Sequence, residues 1–204
     1  MARAFRSTLK GFMKDMLLAT VARCDRRLLD AALSNVRDVL DRIPSRAVER
    51  MADVGIRIAV LDAGERYRAA SPMLVSLGID VDAWPVPPAG LFVIGERTVY
   101  LRATNPMTIA HELGHAFDCA LGGGEMYLSS YDSEIRRAYE AARDYVTPYA
   151  SVGLDEFFAE CFRAYVEVND PRSLWPLVTR SRLRQLVPEM FDWLERTLAL
   201  EAVA

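Results

Sequence analysis

"TIAHELGHAFD", residues 108–118, contains both histidines of the 204-residue chain. His111 and His115 stand one helical turn apart, so both imidazoles leave the same face of a helix. Two neutral imidazoles on one rigid face fix two corners of a tetrahedron around a zinc ion. Glu112 is turned from His111 by about 100° along the helix. It therefore reaches a zinc-activated water without ligating the metal. Two histidines scattered at random would fall four apart roughly once in a hundred, and the intervening glutamate makes HExxH roughly a one-in-a-thousand accident. The alternative is an exposed helix face made polar for solubility. The capped helix and the apolar Ile109, Leu113 and Phe117 supply instead the context that the motif demands.

The flanking residues set the limits of that helix. Asn105-Pro106 opens it: Asn caps, and Pro sits where its missing N–H costs nothing. Gly122, Gly123 and Gly124 stop it after Leu121. Upstream, Leu91–Ile94 and Thr98–Arg102 flank Gly95-Glu96-Arg97 as a hairpin, and Ile56–Asp62 alternates as a half-buried strand does. Residues 64–90 are rich in Gly and Pro and read as loop with room for one helical turn, ending in "WPVPPAG". Trp84 and Pro85, Pro87 and Pro88 are read as a rigid connection in preference to a cleft wall.

Helices are expected at 4–22, at 26–43 (Leu29, Leu33, Val36, Leu40 and Ile43 at helical spacing) and from Ser45 to Gly55. Others are expected near 131–146, at about 155–168, and through the tail "SRLRQLVPEMFDWLERTLAL". The whole predicts an α+β, zincin-like fold, mostly helical, with a small mixed β-sheet and an HExxH helix. It is expected to form one domain over 1–204, with 1–50 as an N-terminal helical arm and 51–204 as the catalytic core.

A catalytic zinc needs a third protein ligand and an open position. With no histidine left, that ligand must be Asp, Glu or Cys. Glu156 in "GLDEFFAECFRAY" is the strongest candidate. Glu156 and Glu160 lie four apart on an otherwise strongly apolar helix, which suggests that both carboxylates point into a site. The alternative is a solvated face shared with Arg163 and Glu167. Glu160, one turn on, suits the outer N–H of a ligating histidine, His111 first. Cys119 reads as core and not as a ligand. Asp118 reads equally as a surface residue or as a hydrogen-bond partner behind the ligands.

"HELGHAFD" followed by "TPYASVGLDEFFAECFRAY" resembles the catalytic domain of anthrax lethal factor and its relatives, including the secreted Pro-Pro endopeptidases. These are gluzincins, with HExxH and a glutamate on a following helix. The resemblance spans roughly residues 50–200 and is sharp only at the two motifs. It implies zinc on His111, His115 and Glu156, Glu112 as general base, and Tyr149 as transition-state hydrogen-bond donor. Tyr127, Tyr131 and Tyr145 are rivals for that last role. In zincin folds a sheet edge lies above the cleft and pairs with an extended peptide. That edge is expected at Leu91, Phe92, Val93 and Ile94, with Thr98–Arg102 inside it.

The expected function is therefore a zinc-dependent endopeptidase acting on a peptide or protein substrate. Two other readings stand beside it. One is an intracellular regulatory metallopeptidase that cleaves a repressor-type partner. The other is a catalytically silent zincin that only binds peptide, against which the intact Glu112 argues. The formal net charge of −3 gives no electrostatic case for nucleic acid or an anionic membrane surface. Three isolated cysteines make no disulfide framework and point to a reducing compartment. The N-terminal stretch reads as an amphipathic helix and not a signal peptide, because Lys14 and Asp15 interrupt its apolar run. A cytoplasmic location is expected, with export by a route that uses no signal peptide as the alternative.

Overall fold

A computed structural model describes residues 26–174 and 177–198, so the helix expected at 4–22 lies outside the described residues. The first described helix, α1 (Arg26–Arg42), turns Ala32, Val36, Val39 and Leu40 inward at helical spacing. Those side chains join the same buried cluster as Ile109, Leu113 and Phe117. Pro44 precedes α2 (Ser45–Asp53), which buries Ala47, Val48, Met51 and Ala52 on one face.

Three strands form one sheet in the order β1 (Arg57–Val60), β3 (Thr98–Leu101), β2 (Gly90–Val93). β1 pairs with β3 in parallel and β2 pairs with it antiparallel, so the sheet is mixed. All four residues of β3 are buried, as a central strand requires. β2 is an edge. The hairpin turn is a single 3-10 turn, Ile94–Glu96, closed by Arg97 in the left-handed region at φ 50°. Ile94 thus belongs to the turn and not to the edge strand.

The Gly/Pro-rich stretch is more ordered than expected. It contains α3 (Tyr67–Ala70), α4 (Pro72–Ser76) and a 3-10 turn at Val81–Ala83. Ser71 caps α4 by accepting from the Leu74 N–H, and Pro72 occupies its first position. Tyr67, Leu74 and Val81 then close a second, smaller core with Val93 and Tyr100 of the sheet.

The HExxH helix is α5 (Pro106–Leu121), with the Asn105 side chain accepting from the Thr108 N–H. α6 (Ser133–Ala141) is shorter than the helix expected to reach 146. After it the chain buries Val146 and Thr147, and Thr147 is extended, the backbone favoured before a proline. Pro148–Ser151 makes a 3-10 turn before α7 (Leu154–Tyr165). The tail, expected as one helix, is two: α8 (Arg180–Leu186) and α9 (Pro188–Leu198), broken where Val187 leaves helical geometry ahead of Pro188. Helices α5 and α7 pack against each other across Gly114 and Ala159. That contact fixes the distance between the two motif-bearing helices.

Candidate active site

α5 presents His111, Glu112 and His115, and α7 presents Glu156 and Glu160, to one place beneath the β2 edge. His111 Nε2 lies 3.1 Å from His115 Nε2 and 3.1 Å from Glu156 Oε2, and His115 Nε2 lies 3.4 Å from that same oxygen. Metal–ligand bonds of about 2.05 Å in a tetrahedron put neighbouring ligand atoms about 3.3 Å apart. The three atoms are therefore spaced as three corners around one zinc ion. Glu156 Oε2 is buried and has no hydrogen-bond partner despite its closeness to both imidazoles. A buried carboxylate oxygen left this way is costly unless a cation meets it. The residues present fit a zinc ion.

The surrounding charges lead to the same conclusion. Burial disfavours a charged imidazole at His111, but the Glu156 and Glu160 carboxylates outweigh it and hold the ring at about 10. Burial opposes ionisation of Glu156 too, yet the two histidines hold its carboxyl well below the ordinary range. The donor set thus favours positive charge at its centre.

Glu160 sits behind His111. Its Oε1 lies 2.9 Å from His111 Nδ1, and its Oε2 accepts from the Thr147 hydroxyl at 2.7 Å. Arg163 donates to both oxygens, from Nε at 3.0 Å and Nη2 at 2.7 Å. Burial works against this charge, but the bonds from His111 and Arg163 keep the carboxyl down at about 2. An ionised Glu160 accepting from Nδ1–H keeps a proton on that nitrogen, so it is the Nε2 proton of His111 that a metal would displace to meet a lone pair.

Glu112 is buried, and its carboxyl is raised above the ordinary value by that burial. The charges of His111 and His115, and last the Phe92 backbone N–H, partly offset the effect. The edge strand lies directly above it: a β-carbon on Gly90 would stand 2.5 Å from Glu112 Cγ and 2.9 Å from Oε1. Only a glycine lets the backbone come this close. Of the expected edge residues, Leu91, Phe92 and Val93 lie in β2, with Phe92 and Val93 turned into the two cores.

Tyr149, on the 3-10 turn before α7, donates from its hydroxyl to Glu156 Oε1 at 3.0 Å, and its ring centre is 5.5 Å from that of His111. Tyr127 is also close, but its ring packs against His115 at 5.6 Å and is held between that imidazole and Phe92. The Tyr145 hydroxyl points to the Tyr139 carbonyl. Asp118 is fully buried, which excludes the surface reading; its oxygens accept from the backbone N–H and hydroxyl of Ser129. Cys119 is buried in the core.

A cleft of about 570 Å³ opens beside this cluster. One wall is Trp84 with residues 86–90, a segment expected as a rigid connection in preference to a cleft wall; His111, Glu112 and Tyr149 line the other. The wall is held from behind. Tyr67 donates from its hydroxyl to the Pro88 carbonyl at 2.8 Å, and Asp82 pairs with Arg102. Three contributors escaped the sequence reading: Arg163, Thr147 and Gly90. Arg163 carried a signal, since a lone arginine among Phe157, Phe158, Cys161 and Phe162 needs a buried partner.

No protein-family model matches the chain, and no curated protein matches it. Among solved structures, the chain is similar to the Pro-Pro endopeptidase PPEP-2 from Paenibacillus alvei. The match has a TM-score of 0.60 and 16% sequence identity, over 88% of this chain and 98% of the other. The fold is α+β and zincin-like. No helix among the described residues is long and apolar enough to cross a membrane.

Proposed function

We propose that the protein is a zinc-dependent endopeptidase of the gluzincin type. The observation that carries the proposal is the convergence of His111 Nε2, His115 Nε2 and Glu156 Oε2 at 3.1–3.4 Å beside the buried Glu112. The fold similarity to a Pro-Pro endopeptidase supports it, as does the resemblance of both motifs to the lethal factor catalytic domain.

His111, His115 and Glu156 would hold the zinc, with Glu160 orienting His111. When bound, the metal supplies Lewis-acid polarisation of the scissile carbonyl and lowers the pKa of water toward about 7. Glu112 takes a proton from the attacking water and passes it to the leaving amine as the C–N bond breaks. Burial raises its proton affinity, which suits a group that must accept and then release. The Tyr149 hydroxyl, near the metal ligands at the cleft, hydrogen-bonds the oxyanion of the tetrahedral intermediate. An extended peptide is aligned along the outer edge of Leu91–Val93 by backbone hydrogen bonds, with Ile94 at the turn closing that edge.

The test is cleavage-site profiling of a proteome-derived peptide mixture with the zinc-loaded protein and with its Glu112→Ala form. New termini should arise with the first and not with the second. No new termini with either, or the same termini with both, contradicts the proposal.

A further inference from the structure

Arg163 is an arginine with almost no solvent contact, 1% exposed, on a helix that otherwise buries phenylalanines. Its guanidinium is spent almost wholly on one carboxylate. Nε and Nη2 grip the two oxygens of Glu160 in the bidentate geometry that a planar fork allows, and Nη1 reaches the Val168 carbonyl at 3.3 Å. Glu160 in turn faces His111 Nδ1, and Thr147 completes its set of donors.

We infer that Arg163 is a positioning residue for the metal centre: by locking both the charge and the orientation of Glu160, it sets the tautomer and aim of the His111 imidazole. This inference rests on the zinc reading of the same site. A carboxylate on a flexible side chain with one donor could rotate away from Nδ1. With two oxygens gripped by Arg163 and one also by Thr147, Glu160 has a single orientation, and it is the one that meets Nδ1. Thr147 adds a second link. It accepts from the Ala150 N–H at 3.3 Å, so the turn carrying Tyr149 is tied to the same carboxylate.

A buried ion pair can also be plain structure, and the experiment must separate the two roles. Zinc affinity is measured by chelator competition, alongside thermal unfolding of the metal-free protein, for wild type, Arg163→Met, Glu160→Gln and the double variant. Loss of a partner behind a ligand typically costs 10–100-fold in metal affinity. Arg163→Met should weaken zinc binding by about tenfold or more within that range, and should lower the unfolding temperature because it takes the bidentate arginine away from a buried carboxylate, leaving it only His111 and Thr147. The double variant removes both charges, so stability should recover. Its zinc affinity should not; it should stay at the value of Glu160→Gln alone.

Should affinity recover together with stability, the pair is structural and the inference fails. An additive further loss in the double variant also overturns it, since Arg163 would then act by a route other than Glu160. If Arg163→Met does not fold, Arg163→Lys keeps the charge and loses the fork. It should fold and bind zinc more weakly than wild type; wild-type affinity in it overturns the inference. A wild-type protein that binds no zinc removes the gluzincin reading itself, and the inference with it.

Discussion

Gly114 faces Ala159 so closely that a β-carbon at position 114 would lie 2.8 Å from the Ala159 Cα. The two residues sit at the middle of the two motifs, one between His111 and His115 and the other between Glu156 and Glu160. The contact is backbone against backbone, so no side-chain rotation can relieve a larger residue. The absence of a side chain at 114 is what lets α7 bring Glu156 within 3.1 Å of His111.

Gly114→Ala should therefore force the helices apart. Alanine gains about 1 kcal/mol in helix propensity, but overpacking a core costs about 1–3 kcal/mol. A small net loss of stability in urea is expected, with zinc affinity falling by more than that loss implies, because Glu156 moves away from the histidines. Unchanged zinc affinity would mean that the ligand spacing tolerates separation of the helices.

Gly90→Ala tests the roof over Glu112. The added methyl meets Cγ and Oε1 of that side chain, which must move. General base catalysis is worth roughly 10²–10⁴-fold, so displacing the base should lower kcat by about 10²-fold. Zinc content should stay at the wild-type level, since Glu112 is not among the three converging donors. Full turnover in this variant would separate Glu112 from the chemistry.

Tyr149→Phe keeps the ring and removes only the hydroxyl. If that hydroxyl bonds the oxyanion alone, kcat should fall by roughly 10²–10³ with little change in KM. The hydroxyl now donates to Glu156 Oε1, so zinc affinity must be measured in parallel. A loss of zinc together with activity would make the hydroxyl a support of the ligand. Near-normal turnover would remove Tyr149 from the mechanism.

Asp118 gives a pH prediction for the metal-free protein. Burial raises its carboxyl from 3.8 to about 6, against the bonds from Ser129. Between those values the folded chain holds more protons than the unfolded chain, so stability from this group falls as pH rises. Unfolding temperatures of wild type and Asp118→Asn, followed from pH 4 to 7.5, should diverge, with wild type losing ground as pH passes through about 6. Parallel curves would show that the charge of Asp118 is met by a partner other than Ser129.

Much of the site was legible because it repeats local rules. A capped helix with two histidines one turn apart fixes which side chains share a face. Glu156 stood out as a carboxylate among phenylalanines. The three-stranded sheet followed from alternation and a short turn. What stayed hidden depends on contacts distant in sequence. Arg163 reads as solvated until α7 is seen buried on both sides, and Thr147 shows no role until its hydroxyl is seen to reach Glu160. The stretch from 64 to 90 reads as loop because its helices, Tyr67–Ala70 and Pro72–Ser76, are too short for a periodic pattern. The tail breaks at Val187-Pro188, where a proline inside a continuous helical pattern is the signal for the break.

The most direct measurement is the metal content of the purified protein and of two variants, after incubation with zinc and removal of the excess. The expected result is one zinc per chain in wild type, one zinc in Glu112→Ala without cleavage activity, and severe loss of zinc in Glu156→Ala. Wild-type protein that holds no zinc, or Glu156→Ala protein that holds it with full affinity, would contradict the assignment of His111, His115 and Glu156 as the metal centre.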